Sequence, residues 1–357
     1  MVLLYVVFFM IFVEGSVRFI LSNSKLSKRL MDYHEEDYWW RNRWITKHQN
    51  SGTDTSYKTD VFDRSKGWIA KPNLRNIEFF DHKVLNTNSK GLRGIKDYPY
   101  GKNRSQYRIL LLGDSFTFGD EVSDNETYAR YLQEMLPDVE VLNMGMHGYG
   151  HDQMLIFLEE EGIKYEPDMV IMGFIGADMS RNLLHFRDYA KPWFVLDDGG
   201  LKVKGTPVPS PEEFLEWDWV RPRAFDLLPI VRGKFMESYG APEREKAKKD
   251  IATALLTEII TITDRIHAVP IFAYLPTQKE ITDRPGLTPG ESFMFSMCQA
   301  NTKVKCFSTR KAFAEKIAKG WNSASFMMKW HWGPEGHLIV AGAIKRYLVD
   351  EGYVVLP

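Results

Sequence analysis

From Tyr107 onward the chain alternates between unbroken apolar runs and stretches with helical spacing. Arg108-Ile109-Leu110-Leu111-Leu112 ends at Gly113 and reads as a strand buried on both faces. Residues 125–136 then place Tyr128, Leu132 and Met135 on one side of a helix. Residues 139–142 form a second short apolar run, and Gln153 to Leu158 opens a second helix. Residues 168–174, after Pro167, give a third strand, 269–275 a fourth that Pro276 ends, and 305–308 a fifth. A closing helix covers 338–349. Strands that alternate with helices predict a mainly parallel sheet covered on both faces, a flavodoxin-like three-layer α/β/α sandwich over 106–357.

Between Asn182 and Lys246 the alternation stops. Asp197-Asp198-Gly199-Gly200 suits a hairpin turn between 193–196 and 201–203, and Pro207, Pro209 and Pro211 make an extended stretch. This predicts an insertion over 183–245, above the strand ends where such folds place their clefts. Residues 25–105 show no sustained period and read as a juxtamembrane segment followed by a strand-and-loop lead-in, with turn formers such as Lys71-Pro72-Asn73.

The start of the chain is a third kind of pattern. Val2 to Val13 is an apolar run of 12 residues that Glu14 interrupts, and 17–21 resumes around Arg18. Twelve residues fall short of the roughly 20 that a bilayer requires, so the run also matches a signal-peptide core, without its basic start or small-residue cleavage site. Residues 1–24 are therefore read as a membrane anchor or signal-like helix, with a buried helix as the rival. Arg18, Lys25, Lys28 and Arg29 follow the run, and a positive flank argues against export of what comes after.

Composition excludes more than it selects. Hydrophobic residues at 44% and charged residues at 26% suit a globular chain with a full core. A net charge of −1, with no long basic run, excludes the electrostatic footprint of a nucleic-acid binder. Two cysteines, Cys298 and Cys306, cannot build a Cys-rich zinc site. They are close enough for one loop-closing bridge in an oxidising space and would be free thiols in a reducing one.

The chemistry starts at Gly113-Asp114-Ser115-Phe116. A serine between a buried strand and the next helix presents its hydroxyl at the cleft, with its N–H where an oxyanion could be stabilised. The same position also suits a plain N-capping serine. Leu142-Asn143-Met144-Gly145-Met146-His147-Gly148-Tyr149-Gly150 follows the second strand, and Phe174-Ile175-Gly176-Ala177-Asp178 the third. Near the end stands Met328-Lys329-Trp330-His331-Trp332-Gly333-Pro334.

In order and spacing these segments resemble blocks I, II, III and V of the SGNH/GDSL hydrolases, over about residues 56–345. The resemblance implies Ser115 as nucleophile, His331 as its base, and the N–H groups of Ser115 and Gly148 as the oxyanion hole. It implies no metal and no organic cofactor. Two positions depart from the family. Ala177 stands where block III has an oxyanion-hole asparagine, with Asn182 nearby in sequence. Met328 and Lys329 fill both places where block V has the acid that orients the histidine. His337, at the start of the closing helix, reads as structural. The implied function is hydrolysis of ester-linked acyl groups, such as O-acetyl groups of a glycan or lipid, or transfer of those groups. The implied setting is the extracytoplasmic side of a bacterial membrane, reached through the N-terminus. The rival reading is a weakened relative that binds an acylated glycan or a partner protein without turning it over.

Overall fold

The computed structural model describes residues 1–23, 26, 37–50, 59–103, 105–198, 200–226, 241–282 and 286–354. By contact density the chain forms two units. One comprises residues 59–61, 69–182 and 252–357, and the other 1–58, 62–68 and 183–251.

The first unit carries a five-stranded parallel sheet of β1 (Tyr107–Gly113), β2 (Val139–Gly145), β3 (Met169–Phe174), β4 (Val269–Tyr274) and β5 (Lys305–Ser308). The strands lie in the order 2-1-3-4-5. This is the flavodoxin-like order expected from the alternation. The apolar runs are continuous because both faces are covered. Ile109, Leu111, Val141, Ile171, Ile271 and Ala273 face one cluster with Leu132 of α2 (Tyr128–Met135) and Val340 and Ile344 of α5 (Pro334–Asp350). On the opposite face Leu110 and Met144 approach α3 (His151–Glu160) so closely that a Cβ on Gly162 would meet Leu110, Met144 and Leu158.

One ion pair is built into this sheet. Arg108 and Glu140 sit opposite each other on β1 and β2, with Nη2 2.7 Å from Oε2, and Arg108 is fully buried. Its remaining donors reach the carbonyls of Pro99, Gly101 and Tyr165, so the buried charge is surrounded by acceptors.

The lead-in is integral to this unit. Strands Ile77–Phe79 and Lys83–Leu85 pair antiparallel, and the loop after them carries Arg93 inward. Cys298 and Cys306 form a disulfide with Cα atoms 6.1 Å apart, within the range such bridges require.

In the second unit helix Val2–Ser22 runs through both Glu14 and Arg18 and reaches 21 residues. The helix falls within the 1–24 read from the sequence, and the unbroken apolar run Val2 to Val13 covers its first 12 residues. The two charged residues do not end the helix, because they are four apart and pair, with Arg18 Nε 2.6 Å from Glu14 Oε1. By length and composition the helix could cross a membrane. Residues 37–50, read as aperiodic, are a helix whose Trp44, Ile45 and His48 are buried. Trp44 stacks on His48 and meets Tyr189 and Phe214.

The predicted hairpin is present as Trp193–Asp197 paired with Gly200–Lys204, Asp197 opposite Gly200; its Gly199, like Lys25, Lys28 and Arg29, lies outside the described residues. Pro211 does not extend the chain but opens helix Pro211–Val220. Ser210 and Glu213 supply a capping box, and proline suits a first helical position.

Candidate active site

Ser115 follows the last residue of β1 by two positions, next to β3, where the strand order reverses and such sheets open a crevice. The helix it opens, α1 (Ser115–Phe118), is a single turn, separate from α2 that follows. Asp114 caps it, accepting the Phe116 N–H at 2.9 Å, and Gly119 ends it at φ 92°. Gly113 is required by close approach, since a Cβ there would overlap Thr117 Oγ1.

His331 lies on the loop between Met327 and Trp332, two residues that form an isolated antiparallel bridge. Trp332 is fully buried and donates its indole N–H to Pro276 O at 2.9 Å. The Met328 N–H closes the loop on His331 O at 2.8 Å. The rings of His331 and Trp332 both pack on Phe116. The result is direct: His331 Nε2 is 2.9 Å from Ser115 Oγ. The structure brings the two residues together at hydrogen-bond distance.

Behind the ring stands a carboxylate that block order does not predict. Glu121 Oε2 is 3.4 Å from His331 Nδ1 and accepts the N–H groups of Trp330 and His331, each at 2.9 Å. The 3.4 Å separation is an ion-pair distance rather than a hydrogen bond. Burial pushes the Glu121 carboxyl up. The His331 ring facing it and the two backbone N–H groups outweigh it and hold the group below its ordinary range. Glu121 therefore faces His331 as an anion, which is what an orienting acid must be.

Glu121 has a left-handed backbone, φ 68°, a costly conformation for a residue with a side chain. Arg93 holds it there. Its guanidinium donates to Gly119 O at 3.2 Å and Val122 O at 2.8 Å, on either side of Glu121, and pairs with Asp124 at 2.5 Å. Neither residue was found in the sequence. The available signal was Gly119-Asp120-Glu121, two acids directly after the nucleophile's turn, in a chain whose block V has none.

The departures resolve unequally. Lys329 is exposed and its ammonium lies 4.1 Å from the Trp330 ring centre, so it does not oppose a charge on His331. Ala177 is exposed. Asn182 does not supply the missing amide, because its Nδ2 lies 3.1 Å from His151 Nδ1 and its Oδ1 accepts from Asp152 N at 3.4 Å. The charged group at this end of block III is Arg181. It donates to Asp114 Oδ2 at 2.8 Å, and that same oxygen is 3.5 Å from Ser115 Oγ. Gly148 takes a left-handed turn at φ 79°. Its neighbour His147 has Nε2 2.7 Å from Asp60 and Nδ1 4.0 Å from Asp120, a carboxyl that burial pushes up.

His337 is buried and its Nδ1 accepts the Tyr128 N–H at 3.1 Å, a structural role. Among the described residues no group of three or more His, Cys, Asp or Glu side chains is set to hold a metal ion.

No family model and no curated protein matches the sequence. Solved structures do. One is a two-domain esterase active on acetylated mannans, co-crystallised with mannopentaose, with 13% identity, a TM-score of 0.41 and 71% of this chain covered. The match spans only 51% of that protein's length. Another is a catalytic mutant of Axe2, an acetylxylan esterase from Geobacillus stearothermophilus, with 15% identity, a TM-score of 0.40, and 71% and 95% of the two chains covered. A third is a member of the lipolytic protein G-D-S-L family from Veillonella parvula, with 11% identity, a TM-score of 0.39, and 68% and 98% covered. The structural neighbours are GDSL/SGNH esterases. At these identities the chemistry of this chain rests on its own geometry.

Proposed function

We propose that the protein is an SGNH-type serine ester hydrolase in which Ser115, His331 and Glu121 act as nucleophile, base and orienting acid. The observation that carries this reading is the 2.9 Å contact between Ser115 Oγ and His331 Nε2, with a buried carboxylate 3.4 Å behind the ring. Ser115 Oγ attacks the acyl carbonyl carbon as its proton passes to Nε2. Negative charge gathers on the carbonyl oxygen, where the N–H groups of Ser115 and Gly148 are its donors. Neither N–H has another acceptor among the described residues. The tetrahedral species collapses as Nε2 returns the proton to the departing alcohol oxygen. Water, deprotonated by the same nitrogen, then releases the acid and restores Ser115. An acceptor hydroxyl in place of water would make the same acyl-enzyme a transferase.

The substrate class we propose is an acetyl ester on a glycan. The Cys298–Cys306 bridge and an apolar helix at residues 2–22 support a membrane-linked protein facing an oxidising compartment. The rival reading, binding without turnover, draws on Ala177, because the loss of one oxyanion donor costs about 10²–10³ in turnover. A fluorophosphonate probe separates the two. Rapid labelling that Ser115→Ala abolishes supports the hydrolase, and labelling no faster than that of surface serines supports the binder.

A further inference from the structure

The helix Val2–Ser22 is unevenly covered. Residues 2–12 are exposed throughout, whereas Val17 and Leu21, four apart, are buried against Tyr38. The helix therefore leaves its unit near Glu14. At that level a distant segment is fastened to it. Glu14 accepts the N–H groups of Arg223 at 2.8 Å and Ala224 at 2.9 Å, and Arg18 donates to Arg221 O at 3.2 Å. The fastened segment carries large apolar side chains that no described residue covers: Trp217, Trp219, Val220 and Phe225, 55–76% exposed.

They cannot turn inward. Phe214 and Asp218 occupy the inner side of helix Pro211–Val220, and Asp218 is held by Arg41 and by Arg223 Nη2 at 2.6 Å. Four such residues in one short segment form a patch that a soluble surface seldom leaves bare. Beside it stands a 21-residue helix that is apolar enough to cross a membrane. The level also fits. Glu14 to Arg18 stand where the exposed stretch 2–12 meets the buried Val17 and Leu21, so the fastened segment lies at the foot of the stretch that lipid would cover. Interfacial side chains and indole rings settle at such a boundary, between acyl chains and headgroups.

We propose that residues 217–225 form a collar that inserts Trp217, Trp219, Val220 and Phe225 into the bilayer interface around the N-terminal helix. The proposal rests on that helix entering the membrane and adds a second contact, far away in sequence, that fixes the depth and tilt of its unit.

The test places a fluorescent nitrobenzoxadiazole label on single introduced cysteines in the full chain. The positions are 8 on the helix, 219 and 225 on the collar, and 203 on the exposed hairpin, in vesicles of phosphatidylcholine with a minority of phosphatidylglycerol. Lipid carrying a nitroxide near the headgroup should lower emission about twofold at 219 and 225 and leave 203 unchanged, with 8 reporting insertion. Quenching at 8 but none at 219 and 225 overturns the collar while the helix stays inserted. Collar labels shielded from iodide yet untouched by nitroxide lipid also overturn it, and assign the face to a second copy or another protein. No quenching at 8 removes the membrane helix and the collar with it. A label-free control is the tryptophan emission that Trp217→Phe with Trp219→Phe removes, which should itself be quenched by the nitroxide lipid. None of these outcomes depends on Ser115 chemistry.

Discussion

The turn that carries Ser115 and the loop that carries His331 are built in opposite ways. The nucleophile's turn is almost entirely local, with Gly113 ending the strand, Asp114 capping, Ser115 opening one helical turn and Gly119 closing it. The histidine loop has no such local plan. It is held by Trp332 on Pro276, by Phe116 under the ring and by Glu121 on two backbone N–H groups, contacts that span 56 to 215 residues of sequence. A local device survives as a motif that can be read. A device made of distant contacts can exchange one carboxylate for another without leaving a recognisable string.

The largest effect should come from the local side. Ser115→Ala should lower hydrolysis of an aryl acetate by about 10⁴-fold or more, and adding His331→Ala should cost little further because the two act as a unit. Steady-state kinetics on both single variants and the double variant checks this, and additive losses would show that they act separately.

On the distant side, Arg93→Met removes the bonds on either side of Glu121 and leaves Asp124 short of a partner. It should cost about 2–3 kcal/mol of stability by denaturant unfolding, and turnover should fall while Ser115 stays in place. A variant of full activity would show that the Glu121 turn needs no such support.

A smaller effect concerns pH. Burial lowers His337 to about 3. Between that value and the ordinary histidine pKa of about 6.5, the unfolded chain binds a proton that the native one refuses, so stability is full above this window and falls as pH drops through it. The slope from His337 should be about 1.4 kcal/mol per pH unit. His337→Gln should flatten the measured curve of stability against pH, and an unchanged slope would remove the assignment.

The smallest effect sharpens the comparison most cheaply. Lys329→Asp puts an acid where block V of the family has one, but the Lys329 side chain lies over Trp330 at the surface. Turnover should stay within about threefold of the parent, because the position behind His331 is already filled. A large gain would mean that Glu121 does not serve the ring.

The same contrast governs what the sequence could disclose. Four strands of the sheet were legible because burial on both faces writes itself as an apolar run, whereas the edge strand β5, partly exposed, left only the short segment 305–308. Order and spacing pointed to Ser115 and His331, which the fold places 2.9 Å apart. Glu121 was not legible, since a carboxylate six residues beyond the nucleophile carries no period, and its left-handed backbone is a property of the fold. Arg93 was hidden in a stretch rich in turn formers, where a charged side chain reads as solvated. The N-terminal helix, read over 1–24, spans 2–22, and the Glu14 and Arg18 that interrupt its apolar run pair within it. Helix Pro211–Val220 was the avoidable omission, since Ser210-Pro211-Glu212-Glu213 spells out its capping box.

The central claim is that Glu121 does the work of the absent block V acid. Its most direct test is kcat for an aryl acetate in Glu121→Gln, which keeps an acceptor for the Trp330 and His331 N–H groups but removes the charge facing Nδ1. The expected result is a fall of about 10²–10⁴-fold in kcat, with KM and the unfolding midpoint little changed and activity recovered in Glu121→Asp. A Glu121→Gln protein that turns over within about threefold of the parent would contradict it.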